Sequence, residues 1–283
     1  MTMKYLWLGF VVILFATVGW GAPTPLVPGS RVQAFSGAFT GLADDANAIF
    51  FNPAGIAFHR RLSSDISFWR TDDGKLGGAS VMYINPSTAS QTMAGIGWTG
   101  IGLSSATANE RAGAFVIPTL YSPVRNLPLG LGLKVVYDQN SSGDLKWRGT
   151  LDAGTILAIG ESFRVGAVAR NILKTRLDAF QSSFAAGASW TAGSIFAVVV
   201  DGDAVSMDQV KNGDANYSAG AELQPFMFAI FRGGVRLTPD TTYYSMGVEL
   251  KQSLGSGIAV GYWFPSENFH HGWFSLGFAY RIG

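Results

Sequence analysis

The side chains able to do acid–base, nucleophilic or metal chemistry are few in this chain and poorly placed for it. There are three histidines, His59, His270 and His271, and no cysteine. A hydrolase needs a Ser/His or Asp/His set held by a rigid scaffold, and no histidine falls on a segment with strand rhythm. Adjacent histidines rarely close on one ion, so His270 and His271 read as a solvated loop. Asp44-Asp45 could draw a cation, but reads more simply as the N-cap of a short helical turn. Asp201-Gly202-Asp203 has the start of a calcium loop without the ligands that must follow at fixed spacing. No catalytic residue, metal site or cofactor is assigned, and the chain is not read as an enzyme. Without cysteine there are no disulfides, no thiolate metal sites and no lipidated N-terminal cysteine.

What the chain does carry is a set of charges at regular places, and these need strands to position them. In the last twelve residues Phe274, Leu276, Phe278, Tyr280 and Ile282 share one face of an extended strand. Ser275, Gly277, Ala279 and Arg281 share the other. The same rhythm sets Lys134 and Asp138 against Leu129, Leu131, Leu133, Val135 and Tyr137. It sets Glu222 against Tyr217 and Leu223, and Arg232 and Arg236 against Phe231 and Leu237. Glu249 and Lys251 oppose Tyr244, Met246, Val248 and Leu250. Asp152, Arg164 and Arg281 also fall on the charged face. A lysine or arginine facing lipid at mid-membrane costs about 2–4 kcal/mol, so this face must line a lumen.

Composition supports that reading. The 283 residues are 48% hydrophobic and 14% charged, against about 25% charged in soluble domains. Beyond the N-terminus no run approaches the ~20 apolar residues a membrane helix needs. A formal net charge of +1 gives nucleic acid nothing to bind. Alternating segments fall at 63–70, 77–85, 91–106, 112–122, 129–139, 149–160, 163–172, 182–191, 194–204, 215–225, 227–238, 241–252, 255–265 and 272–283. These predict an all-β, transmembrane, antiparallel up-and-down barrel of about fourteen strands, with twelve as the alternative count and 91–106 as a hairpin that could split near Gly100. The last strand should meet the first near Ile66 and Phe68 to close it. Connections alternate between tight (160–162, 192–193, 226, 253–254) and longer (140–148, 173–181, 205–214, 266–271), with Pro239–Asp240 an exception. Trp69, Trp98, Trp147, Trp190, Tyr262, Trp263 and Trp273 lie near strand ends and are expected in the interfacial girdles.

The chain divides into three stretches. Residues 1–21 read as an export signal: Lys4, an apolar Leu6–Val18, then Gly19-Trp20-Gly21. Residues 22–62 lack strand rhythm, and 63–283 form the barrel. In the middle stretch the small residues with Asp44 and Asp45 read as a short helical turn, followed by a turn forced by Asn52-Pro53. Such a compact piece fits inside the barrel mouth.

The run Ala43-Asp44-Asp45-Ala46 through Phe51-Asn52-Pro53-Ala54-Gly55 resembles the N-terminal signature of FadL-type and PorV/PorQ-type outer-membrane proteins. Leu151-Asp152-Ala153-Gly154, Arg170-Asn171-Ile172-Leu173 and Phe274-Ser275-Leu276-Gly277-Phe278 are similar in layout. The resemblance implies a fourteen-stranded barrel with the N-terminal segment in its lumen as a hatch. It makes Asp44, Asp45, Asn52, Pro53, Ala54 and Gly55 the candidate gating residues. It also implies two functions. One is a channel for small hydrophobic molecules gated by that segment. The other is a barrel that binds a secretion-system or other envelope protein without transporting anything. Either would sit in outer-membrane lipid with both termini periplasmic. Two departures stand out: the loops are shorter than in fatty-acid transporters, and the chain ends Tyr280-Arg281-Ile282-Gly283 rather than on an aromatic residue.

Overall fold

A two-residue alternation cannot give a helix a coherent face, because the helical repeat is 3.6, but it gives a strand one apolar and one polar side. In the computed structural model that alternation builds fourteen strands. They are β1 (Leu62–Arg70), β2 (Leu76–Ile84), β3 (Gly95–Ile101), β4 (Arg111–Val124), β5 (Leu127–Gln139), β6 (Leu145–Ile159), β7 (Phe163–Arg170), β8 (Ser183–Ala192), β9 (Phe196–Ala204), β10 (Asn216–Phe226), β11 (Ala229–Leu237), β12 (Thr242–Lys251), β13 (Ser256–Pro265) and β14 (Trp273–Ile282). Each pairs antiparallel with its sequence neighbour, and β14 returns to β1 to close the barrel. Ile66 lies opposite Phe278 and Phe68 opposite Leu276, the closure expected from the sequence. Of the 91–106 segment the described residues 95–101 form the single strand β3, with Gly100 inside it. Closure removes the unpaired edges that an open sheet would expose.

The structure describes residues 29–59, 62–70, 76–85, 95–101, 111–124, 126–139, 142–177, 180–204, 212, 214–252, 255–270 and 272–282. The export-signal reading of 1–21 lies outside them, as do residues 22–28 and His271.

The two faces separate as strand parity requires. Leu131, Leu133 and Val135 are about half exposed on the outside. Lys134 between them is buried inside, beside a fully buried Asp152. Among the described residues the outer wall is an apolar band, the surface a barrel turns to lipid. β1 begins and β14 ends at one end of the barrel, here called the turn end. Connections there include 160–162, 193–195 and 227–228, whereas 171–182 and 266–272 at the opposite loop end are longer. Two connections break the rule: 238–241 is short at the loop end, and 85–94 is long at the turn end.

The girdle expectation needs correction at three tryptophans. Trp147 and Trp190 are about half exposed on the outer face, but Trp69, Trp263 and Trp273 are buried. Each shares parity with a lumenal residue two positions away: Ser67, Gly261 and Ser275. Tyr243 joins two of them, its ring 5.9 Å from Trp263 and 5.8 Å from Trp273. Nearness to a strand end does not decide which way a side chain points. Parity does.

Candidate functional site

Residues 29–59 lie across the lumen. They form α1 (Ser30–Ala34), α2 (Ala48–Phe51) and a 3-10 turn (Pro53–Phe58). Helices of four or five residues have no stability of their own in water, so the wall must hold them. α1 packs on β11–β14 and β1, while α2 and the 3-10 turn pack on β3–β6. The segment therefore bridges opposite sides of the barrel. Val32, Phe35, Phe39, Leu42, Ile49 and Ile56 are fully buried there.

The wall makes room with glycine. A Cβ added at Gly277, Gly247, Gly234, Gly220, Gly166, Gly154, Gly130 or Gly97 would come closer than 3.0 Å to an atom of the lumenal segment. At Gly130 the colliding atoms are the backbone of Pro53 and Ala54, and at Gly166 the Thr40 carbonyl. These are glycines of close approach. They let the segment's backbone lie directly on the strands.

Asn52 is the polar hub. Its Oδ1 accepts from the Ala54 N–H at 3.2 Å and caps the 3-10 turn. Its Nδ2 donates to the Thr40 carbonyl at 3.0 Å and to the Thr155 carbonyl of β6 at 3.1 Å. Pro53 follows at the first helical position, where no N–H is needed, and packs with Ala54 against Gly130. Gly55 lies under the Ala43 carbonyl, where a Cβ would overlap. Across the lumen, Asp201 of β9 accepts from the backbone N–H groups of Phe39 and Thr40 at 2.8 and 2.7 Å.

Arg31 joins this segment to the charged wall. It meets Asp44 at 2.6 Å, Asp45 at 2.8 Å and Glu222 of β10 at 3.2 Å. The chain of ion pairs continues from Glu222 to Arg232 at 2.7 Å, Arg232 to Glu249 at 2.6 Å and Glu249 to Arg281 at 3.4 Å. It returns to Asp45 at 3.8 Å. Burial alone would raise the Asp45 carboxyl, but Arg31 and Arg281 hold it well below its ordinary value. Burial likewise pulls Arg31 down, and the surrounding carboxylates carry it well above. The helix-cap reading holds at Asp45: its Oδ1 accepts from the Asn47 N–H at 2.9 Å and its carbonyl from the Ala48 N–H, so it caps the turn that runs into α2. Asn47 makes no side-chain cap bond, and the Asp44 carboxylate goes to Arg31. In a low-dielectric lumen a guanidinium is the stronger partner.

The remaining lumenal charges are dispersed. Lys134 pairs with Asp152 at 2.6 Å on β5 and β6. Arg236 pairs with Asp203 at 2.9 Å. Arg164 donates to the Leu42 carbonyl, and Lys251 to Gln224. Asp152 also accepts from the Asn171 N–H, and Lys134 reaches Asn171 Oδ1. Together they fix the start of the 171–182 loop, which sends Leu177 and Phe180 into the same apolar cluster as Phe39, Phe51, Val116, Val136 and Ile156. The lumen is thus mainly apolar toward β4–β6, apart from the Lys134–Asp152 pair, and ionic toward β10–β14. Sequence reasoning missed Arg31, which has no strand parity to mark it, and Asp201, whose inward parity was a usable signal. Among the described residues no group of three or more histidines or carboxylates could hold a metal ion.

No protein-family model matches the sequence, and no curated protein matches it. Solved structures do match. The Ralstonia pickettii toluene transporter TbuX superposes with a TM-score of 0.64 at 13% identity, over 91% of this chain and 99% of that one. The monoaromatic hydrocarbon channel CymD gives 0.61 at 15%, over 92% and 99%. A Pseudomonas aeruginosa FadL homologue gives 0.57 at 12%, over 94% and 100%. The molecule is a plugged fourteen-stranded membrane barrel. Its fold is that of the FadL-type outer-membrane barrels.

Proposed function

We propose that this protein is an outer-membrane channel for small hydrophobic molecules, with residues 22–62 as its hatch and 63–283 as its wall. The observation that carries this reading is the position of residues 29–59, buried across the lumen and bonded to both sides of it. The fold shared with a toluene transporter and a monoaromatic hydrocarbon channel supports it, as does the apolar side of the lumen. The termini then face the periplasm and the longer loops face outward. Passage requires the hatch to shift, because residues 29–59 cross the lumen and lie against the wall at its glycines. In liposomes, loosening the hatch with Arg31→Met should raise the flux of toluene more than that of a sugar of similar size. Unchanged flux of both solutes, with the barrel intact, sinks the proposal.

The tightness of that fit also favours a second reading, a static plugged barrel that serves as a binding component for an envelope or secretion-system protein. Co-purification of a stoichiometric partner from native membranes, together with no hydrocarbon flux, would select it.

A further inference from the structure

The β10–β11 connection departs from every other described connection at the turn end. Two-residue hairpins usually draw on Asn, Asp and Gly, whose backbones tolerate the turn and whose polarity suits water. The 160–162 turn follows that chemistry as Gly160-Glu161-Ser162, and the 193–195 turn follows it at Gly193-Ser194, ahead of Ile195. Here the turn is Met227-Phe228, and the stretch Leu223-Gln-Pro-Phe-Met-Phe-Ala-Ile-Phe231 carries no charge. Met227 is 89% exposed and Phe228 61%. The rings of Phe226 and Phe228 stack at 5.4 Å and 10°. Ile195 of the adjacent turn, 61% exposed, extends the patch, because the Gln224 N–H donates to its carbonyl at 2.7 Å.

The backbone at this tip is held, not frayed. Gln224 Nε2 donates to the Met227 carbonyl, and the Lys251 N–H donates to the Phe228 carbonyl at 2.8 Å. The nearest charges along the two strands, Glu222 and Arg232, face the lumen and are paired to each other, and Lys251 of β12 turns its ammonium to Gln224 Oε1 at 2.8 Å. The patch is continuous with the outward Leu223 and Phe231, both exposed on the apolar wall. An exposed apolar patch of this kind marks an interaction site, and its continuity with the lipid-facing band fixes the occupant.

We propose that the Phe226–Phe228 turn inserts into the phospholipid leaflet at the turn end, so that the membrane boundary on the β8–β11 side runs beyond the turn tip. The wall is thereby anchored at one point of its rim. This rests on the membrane reading of the barrel, not on transport. Elsewhere on the same rim, polar turns such as 160–162 stay in water.

The absence of cysteine makes the test clean. Single variants Met227→Cys, Glu161→Cys and Leu133→Cys are labelled with an environment-sensitive fluorophore and reconstituted in phosphatidylethanolamine/phosphatidylglycerol vesicles. Quenching by iodide in the water and by lipids spin-labelled near the headgroup is then compared. An inserted tip, a few ångströms into the leaflet, gives ~3-fold less iodide quenching at Met227→Cys than at Glu161→Cys, with strong quenching by the spin-labelled lipid. Equal iodide quenching at both turns overturns the insertion while Leu133→Cys still reports lipid. Loss of lipid quenching at Leu133→Cys would overturn the membrane reading itself. Protection of Met227→Cys in native envelopes but not in vesicles would assign the patch to a protein partner and overturn the lipid assignment.

Discussion

At the scale of single residues, the lumenal segment is held by a few buried polar groups, each with little room for substitution. Asn52 bonds its own 3-10 turn, the Thr40 loop and β6 at once. Asn52→Ala should cost about 1–3 kcal/mol, because buried carbonyls and an amide lose their partner together, and equilibrium unfolding would show it. Arg31 matters more. Removing it leaves Asp45 with only the more distant Arg281 and Glu222 with only Arg232, a loss of up to about 3–5 kcal/mol, the cost of breaking a buried pair. A double-mutant cycle with Asp45→Asn separates the pair from its surroundings. The pH dependence follows from the same contact. Asp45 is held below its ordinary value in the folded protein, so its contribution is complete above the unfolded value of about 4 and fades as pH falls below it. Arg31 is shifted the other way, and its contribution is lost only in strong alkali. The urea midpoint should therefore drop on acidification below about pH 4, and drop less steeply in Asp45→Asn. An equal slope in both proteins would refute this account. Asn52 announced itself in the sequence by standing before a proline. Arg31 did not, because ion-pair partners 191 positions apart leave no local trace.

At the scale of elements, the wall and its contents are fitted to each other. Gly130→Val places a side chain on the Pro53–Ala54 backbone. The lumenal segment should be dislodged while the strands, whose ladder bonds are untouched, still close. Solute flux should rise and the heat-resistant folded band on a gel should persist. Gly149→Ala is the control, since a Cβ there meets nothing within 4 Å and both readouts should match the unmodified protein. The 171–182 loop is a second such element. Lys134→Met leaves Asp152, which is fully buried, without its cation. The loop that carries Leu177 and Phe180 should then exchange its amide hydrogens faster than in the parent, with the β5–β6 ladder unchanged. Strand parity placed Lys134 and Asp152 inside the barrel. It could not say that they meet, or that a loop is anchored on them.

At the scale of the whole molecule, two environments act on one sheet. The outer face is uniform because lipid is uniform, so a charge there is costly wherever it falls. Leu133→Arg should reduce the yield of folded barrel by an amount equivalent to about 2–4 kcal/mol, whereas a charge at a loop tip should not. The inner face is not uniform. Its apolar side on β4–β6 and its ionic side on β10–β14 give the lumen two characters, and a hydrophobic solute would meet the first.

The sequence by itself determined the strands, their parity and the closure of the barrel. Those depend on a two-residue repeat and on the cost of charge in lipid, both of which act locally and identically at every strand. It also marked 22–62 as the stretch that breaks the rhythm. Only the tertiary structure decided what residues 29–59 of that stretch touch inside the barrel. Which glycine meets which backbone, which carboxylate takes Arg31, and which tryptophans turn inward are set by curvature and by contacts between residues far apart in the chain. Local periodicity carries no information about such contacts, because they exist only once the sheet has closed around the segment.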